Sequence, residues 1–183
     1  KPADVQQTKF VGILAFEDPI RLEAPEALRA IDQYDVRVFM ATGDLPGTAL
    51  AVAQELGWQV NEASVLTGNE LGQLSDAELT TALQHVRIFA RDTPEDKLRI
   101  TKLLQAQGEV VAMTGDGVND APSLKAATIG VAVGSGSDVT KSVADLVLLD
   151  DNFNTIVATI EEGKRMLRNI KKVFTYLMSS SLD

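Results

Sequence analysis

Residues 114–120 read Thr-Gly-Asp-Gly-Val-Asn-Asp and follow the apolar run Val110-Val111-Ala112-Met113. Two carboxylates, Asp116 and Asp120, and the amide of Asn119 thus fall on a Gly-rich turn at the carboxyl end of a strand, where ligands of open α/β sheets collect. A hard divalent cation such as Mg²⁺ takes one or two carboxylates and completes its shell with phosphate oxygens and water. Gly115 and Gly117 let the backbone approach a phosphate closely. The loop is suited to be one half of a Mg²⁺-dependent phosphoryl-transfer site.

Two further stretches suit the other half. Ala41-Thr42-Gly43-Asp44 follows the strand expected over 36–41 and precedes a helix with Pro46 at its start. A Thr hydroxyl with free backbone amides at such a junction makes an anion site; an ordinary helix N-cap explains it equally well. Lys97 lies early in a helix that opens Thr93-Pro94-Glu95-Asp96. There it works against the helix dipole, which suits a lysine with an anionic partner such as phosphate, although surface lysines are common.

The elements that must position these loops are legible as an alternation. Short apolar runs at 10–16, 36–41, 86–90, 110–113, 129–133 and 146–149 read as strands separated by helices, the pattern of a parallel sheet covered on both faces. Pro25 and Pro46 sit where a first-turn proline is tolerated. Ser75 with Glu78 makes a capping-box pattern, Thr93 an N-cap before Pro94, and Ser137-Asp138 another helix start. From about Asn152 to Leu182 there is no proline, and Ile156, Ile160, Leu167, Ile170, Phe174 and Leu177 recur near helical spacing. Five of the nine residues from Lys164 to Lys172 are Lys or Arg. That run suits a solvated helix face, or the cytoplasmic flank of a membrane helix with Phe174 onward at the bilayer interface.

Composition narrows the classes. The 183 residues are 45% hydrophobic and 23% charged, a globular balance for one domain. A formal net charge of −9 argues against nucleic acid as a partner. No cysteine is present, which excludes disulfides and thiolate metal sites. No signal-peptide pattern or apolar run of spanning length is visible, so a soluble chain is expected. His85, the sole histidine, reads as a surface residue, Trp58 as a core-edge residue, and Gly134-Ser-Gly-Ser-Asp138 as a turn into the next helix.

The order of a strand ending in Thr, then a Lys, then a strand ending in acidic residues resembles the haloacid-dehalogenase superfamily. Within it the chain is similar to the phosphorylation domain of P-type cation-transporting ATPases. Asp18-Pro19-Ile20-Arg21, Thr42-Gly43-Asp44, Phe89-Ala90-Arg91 through Lys97, and Met113 through Leu124 carry the likeness, with Ile129-Gly130-Val131-Ala132-Val133-Gly134 and Leu149-Asp150-Asp151-Asn152-Phe153. It covers about Thr8 to Leu182; Asp-Asp-Asn-Phe points toward the calcium, sodium/potassium and proton pumps rather than the heavy-metal pumps. Leu22 and Leu45 are mild departures from the family pattern.

The resemblance implies an α/β fold with a mostly parallel, doubly wound, Rossmann-like sheet and a long C-terminal helix. It implies Mg²⁺ and ATP, with Asp116 as metal ligand and Asp120 as a further ligand or orienter. Thr42 would bond phosphoryl oxygens, Lys97 would neutralise their charge, and Asn119 would hold the phosphate or its water. Asp18, Gly43, Asp44 and Arg91 would lie toward a nucleotide domain. The family's nucleophile, the Asp of an Asp-Lys-Thr-Gly-Thr motif, does not occur in these residues. Asp44-Leu45-Pro46-Gly47-Thr48 has similar spacing, but Leu45 replaces the Lys and Asp44 lies three residues past the expected strand end.

The chain is therefore expected to be the part of a pump's phosphorylation domain that follows the nucleotide-binding domain, lacking the nucleophile strand. Residues 1–22 would form a hinge strand and hinge, and 152–183 a helix leading toward the membrane. The partners implied are the nucleotide-binding domain, the actuator domain and the membrane helices of the same multi-pass protein, with this segment cytoplasmic. Rivals are a stand-alone phosphatase of the superfamily and a non-catalytic Mg²⁺- and phosphate-binding module. A receiver domain would need an acidic pair near the first strand, and none is present.

Overall fold

The computed structural model describes residues 9–14 and 19–180. Among these residues six strands, β1 (Met40–Thr42), β2 (Val65–Thr67), β3 (Ile88–Ala90), β4 (Ala112–Gly115), β5 (Ile129–Val133) and β6 (Leu146–Leu148), form two three-stranded sheets of order β1-β3-β2 and β4-β5-β6. Every pairing is parallel, so each crossover must carry a helix or a long connection. The helices are α1 (Ala24–Asp32), α2 (Pro46–Glu55), α3 (Gly68–Gln73), α4 (Asp76–Ala82), α5 (Pro94–Ala106), α6 (Ala121–Ala126), α7 (Asp138–Val143) and α8 (Phe153–Ser180).

Local chemistry sets the helix starts. Thr67 with Glu70, Ser75 with Glu78 and Thr93 with Asp96 form reciprocal capping boxes at α3, α4 and α5, each satisfying amide donors that the first turn leaves free. The Ser137 side chain caps α7. The apolar core lies against the first sheet, where Ile88, Phe89 and Ala90 of β3 are all buried. Phe89 packs with Leu71, Leu79, Leu83, Ile100 and Leu104, while Ile88 and Ala90 meet Ala49 and Ala53 of α2. α5 and α6 join the two sheets, with the Gln105 side chain donating to the Ala126 carbonyl at 2.8 Å.

Strands 129–133 and 146–149 agree with the sequence reading to within a residue, and 86–90 and 110–113 overlap β3 and β4. Three differences have physical causes. The segment expected as a strand over 10–16 is not one where it is described, at 10–14; Phe10, Val11, Ile13 and Leu14 are exposed and pair with no strand among the described residues, and a strand cannot satisfy its own backbone. The strand expected over 36–41 begins at Met40, because pairing starts where Met40 comes opposite Ile88. β2 was not anticipated: it is three residues long, too short for a period to emerge. Among the described residues no helix is long and apolar enough to cross a membrane.

α8 has two halves. Its first turns pack on α1 and the turn after it, where the Tyr34 hydroxyl donates to Glu161 at 2.6 Å and the Lys164 ammonium bonds the Tyr34 carbonyl at 3.0 Å while lying 4.5 Å from the ring centroid. Beyond Arg165 the stripe emerges, with Leu167, Ile170 and Phe174 each about three-fifths exposed.

Candidate functional site

The carboxyl ends of β1, β3 and β4 supply the site, as parallel sheets do. At the last residue of β1, the Thr42 hydroxyl accepts the Asp44 amide at 3.1 Å, closing a tight turn before α2. Gly43 and Asp44 are exposed on that turn. Just after β3, the Arg91 amide donates to the Asp44 carbonyl at 3.0 Å and the Asp92 amide to the Thr42 carbonyl at 3.3 Å. The segment after β3 is thereby tied to the Thr42 loop. Arg91 has φ +53°, a conformation uncommon for a side-chain-bearing residue and found where a site imposes it. Its guanidinium reaches the Gly43 carbonyl at 3.4 Å.

The 114–120 loop follows β4 and folds on itself. The Asp120 side chain is buried, receives the Gly117 amide at 3.2 Å on Oδ2 and pairs through Oδ1 with Lys97 Nζ at 2.8 Å. A Cβ on Gly115 would lie 2.5 Å from that of Asp120, so glycine at 115 is a condition of the fold here. The fully buried Thr140 hydroxyl donates to the Gly117 carbonyl at 2.8 Å, and the Ser137 amide to the Asp116 carbonyl at 2.8 Å. α7 therefore holds the loop from behind. The Asp116 carboxylate is left exposed, and no hydrogen bond to it is found among the described residues. Asn119 is exposed as well.

The structure thus brings Lys97 and Asp120 into contact and sets Asp116 on the same loop, with the Thr42 turn joined through Asp92. Arg91, Gly43 and Asp44 lie together on the outer side of that turn. Asp18 falls outside the described residues. The 134–138 turn leads into α7 as expected, and its Ser135 amide is already taken by the Asp151 carboxylate at 3.2 Å.

One residue escaped the sequence reading. Both carboxylate oxygens of Asp92 are shielded from solvent and find no hydrogen-bond partner among the described residues. Burial pushes its pKa up to about 6, against an opposing pull from Lys97 and with a further rise from Asp96 and Asp120. Its place just past a parallel strand's carboxyl end was the available signal.

Among the described residues no three His, Cys, Asp or Glu side chains gather into a metal cage. A site made of two carboxylates does fit Mg²⁺, which keeps waters and takes further oxygens from phosphate rather than from a protein cage. Asp116, exposed and uncommitted, is the group suited to it.

A family model described as haloacid dehalogenase-like hydrolase matches residues 1–128, and a second of the same description matches 98–160. The chain belongs to the haloacid dehalogenase-like hydrolase family. Among similar curated proteins, calcium-transporting ATPase 1 of Bacillus cereus is 47% identical over 93% of this chain. Calcium-transporting ATPase 1 of Saccharomyces cerevisiae is 44% identical over 97%. This haloacid dehalogenase-like chain spans only 19% of the length of either relative. Among solved structures, a zinc-transporting PIB-type ATPase superposes with a TM-score of 0.66 at 32% identity, over 85% of this chain and 21% of that one. The catalytic domain of a CPx-ATPase gives 0.58 at 27% identity, over 76% of this chain and 45% of that one. The family fold, α/β with parallel strands and a long C-terminal helix, is the one described above.

Proposed function

We propose that this chain is the part of a P-type cation pump's phosphorylation domain that follows the nucleotide-binding domain, and that it supplies the phosphoryl- and Mg²⁺-binding half of an aspartyl-phosphate site. The Lys97–Asp120 pair on the Gly-rich loop carries the reading, because it sets a cation, a buried carboxylate and the free Asp116 at one sheet edge. Thr42 and the Lys97 ammonium are suited to donate to phosphoryl oxygens, the positioning and charge compensation on which phosphoryl transfer depends. Asn119, exposed on the loop, would hold the phosphate or its water. Mg²⁺ held by Asp116, with Asp120 as ligand or orienter, would supply charge neutralisation at the transferring group. Gly43, Asp44 and Arg91, grouped on the outer side of the turn, would meet nucleotide presented by a neighbouring domain; Asp18 is assigned to the same hinge from its motif alone.

The nucleophile must come from elsewhere in the parent protein. β1 and β4, which lead into Thr42 and Asp116, are both edge strands among the described residues. An additional parallel strand entering between them would satisfy both edges and set a terminal aspartate beside both loops. The exposed alternation of β4, with Ala112 and Thr114 open to solvent, favours a strand position that awaits cover. Residues 1–22 serve as the hinge, and 152–183 lead toward a membrane helix of the multi-pass parent, with this segment on its cytoplasmic side. The actuator domain and the membrane helices would be the other partners.

Incubation of the chain with γ-labelled ATP and Mg²⁺, followed by acid precipitation, tests the division of labour. No label is expected on this chain, since a covalent intermediate needs its attacking carboxylate. Hydroxylamine-sensitive label that disappears in Asp44→Asn would place the nucleophile within these residues and favour the stand-alone phosphatase.

A further inference from the structure

Among the described residues, Asp92 carries a solvent-shielded carboxylate that the proposed reaction leaves without a task. A shielded carboxylate with no hydrogen-bond partner is costly, and native structures retain such groups where something else needs them. The charged groups around it are Lys97, Asp96 and Asp120. Asp96 is committed, since its Oδ2 receives both the amide and the hydroxyl of Thr93 at 2.9 Å. Asp120 is committed through Gly117 and Lys97. Lys97 is different: its ammonium has three donors on a flexible stem, and its hydrogen bond to Asp120 uses one of them.

Metal binding at 114–120 would change this balance. An Asp120 oxygen that turns to a cation leaves Lys97 without the partner that holds it in place. We propose that Asp92 is a positioning residue: its carboxylate receives the Lys97 ammonium when Asp120 is drawn to a metal ion, and so keeps Lys97 at the phosphoryl site. The left-handed Arg91 and the Asp92 amide bond to the Thr42 carbonyl fix Asp92 on the Thr42 side, so the exchange moves the ammonium toward that loop. The inference deepens the reading of 114–120 as the metal end and rests on it for its purpose. The exchange itself can be tested without metal.

In Asp120→Asn the Lys97 ammonium loses its ionic partner. NMR of the lysine ammonium protons should still find Lys97 protected, exchanging within about threefold of the wild type, and Asp92→Asn/Asp120→Asn should exchange at least about tenfold faster. Full loss of protection in Asp120→Asn alone, equal to that of the double variant, would overturn the proposal. Should Asp120→Asn not fold, the comparison moves to the wild type and Asp92→Asn under rising Mg²⁺. Only Asp92→Asn should then lose the Lys97 signal, and equal behaviour of the two overturns the exchange. Unmoved amides at 114–120 in that titration would count against the metal reading instead, which keeps the two failures apart.

Discussion

The two sheets are built by different means. In the β1-β3-β2 sheet the middle strand is wholly buried and two apolar clusters grip it, so that half of the molecule rests on hydrophobic burial. In the β4-β5-β6 sheet the strand that bears the site alternates between exposed and half-buried, and its loop is held by two buried polar groups, Asp120 and Thr140. The candidate site draws on both, through Thr42, Asp92 and Lys97 on the side of the first sheet and the 114–120 loop after the second. Apolar burial dominates the first sheet and polar rigidity the second, and among the described residues each keeps the strand that leads into the candidate site, β1 or β4, at an edge.

The contrast breaks first in the core. Phe89→Ala should remove about 3–5 kcal/mol, because the cavity opens among fully packed leucines, whereas Val147→Ala on half-exposed β6 should lose less than about 1 kcal/mol. Denaturant midpoints of the two variants compare the sheets directly; equal losses would show that both are packed alike.

Next comes the polar site. Lys97→Met strands the buried Asp120 carboxylate and should lose about 2–4 kcal/mol, partly recovered when Asp120→Asn is added. A double-mutant cycle without coupling would mean that the pair is incidental to the second sheet.

Asp92 gives a smaller effect with a definite sign. Its pKa is raised from 3.8 to about 6 in the folded chain, so the folded state binds the proton more tightly than the unfolded one. Stability should therefore fall as pH rises from about 4 through about 6, with the loss complete above that range. Asp92→Asn should flatten this slope and raise stability near neutral pH by about 1–2 kcal/mol, after allowance for partial solvent screening. Melting curves across that range check it; an unchanged slope would mean that Asp92 is solvated. A gain in stability at a residue proposed to receive Lys97 is the trade expected of a functional site.

The smallest effect belongs to the far half of α8. Phe174→Ser should change stability by no more than about 0.5 kcal/mol, since the ring is already exposed, whereas Ala24→Asp at the buried face of α1 should be severe.

What the sequence disclosed follows the same division. The loops at 42–44 and 114–120 were legible because their chemistry is local: Gly, Thr and Asp at a strand end state their purpose in a few residues. Capping residues such as Ser75 and Thr93 were legible for the same reason. β2 and the false strand at 10–14 were not, because pairing decides them. Val65–Thr67 becomes a strand through Ile88–Ala90, while Phe10–Leu14, more apolar, finds no pairing strand among the described residues. Asp92 was passed over because its burial and its want of partners depend on the Arg91 backbone and on Lys97, neither of which a linear pattern expresses.

The central claim, that 114–120 is the metal end of a phosphoryl site, is tested most directly by a Mg²⁺ titration of this chain followed through its backbone amide resonances. The amides of 114–120 should move first and weakly, since Mg²⁺ dehydrates reluctantly for so few carboxylates, and Asp116→Ala should abolish the response. Shifts that survive Asp116→Ala unchanged, or that begin elsewhere in the chain, would contradict it.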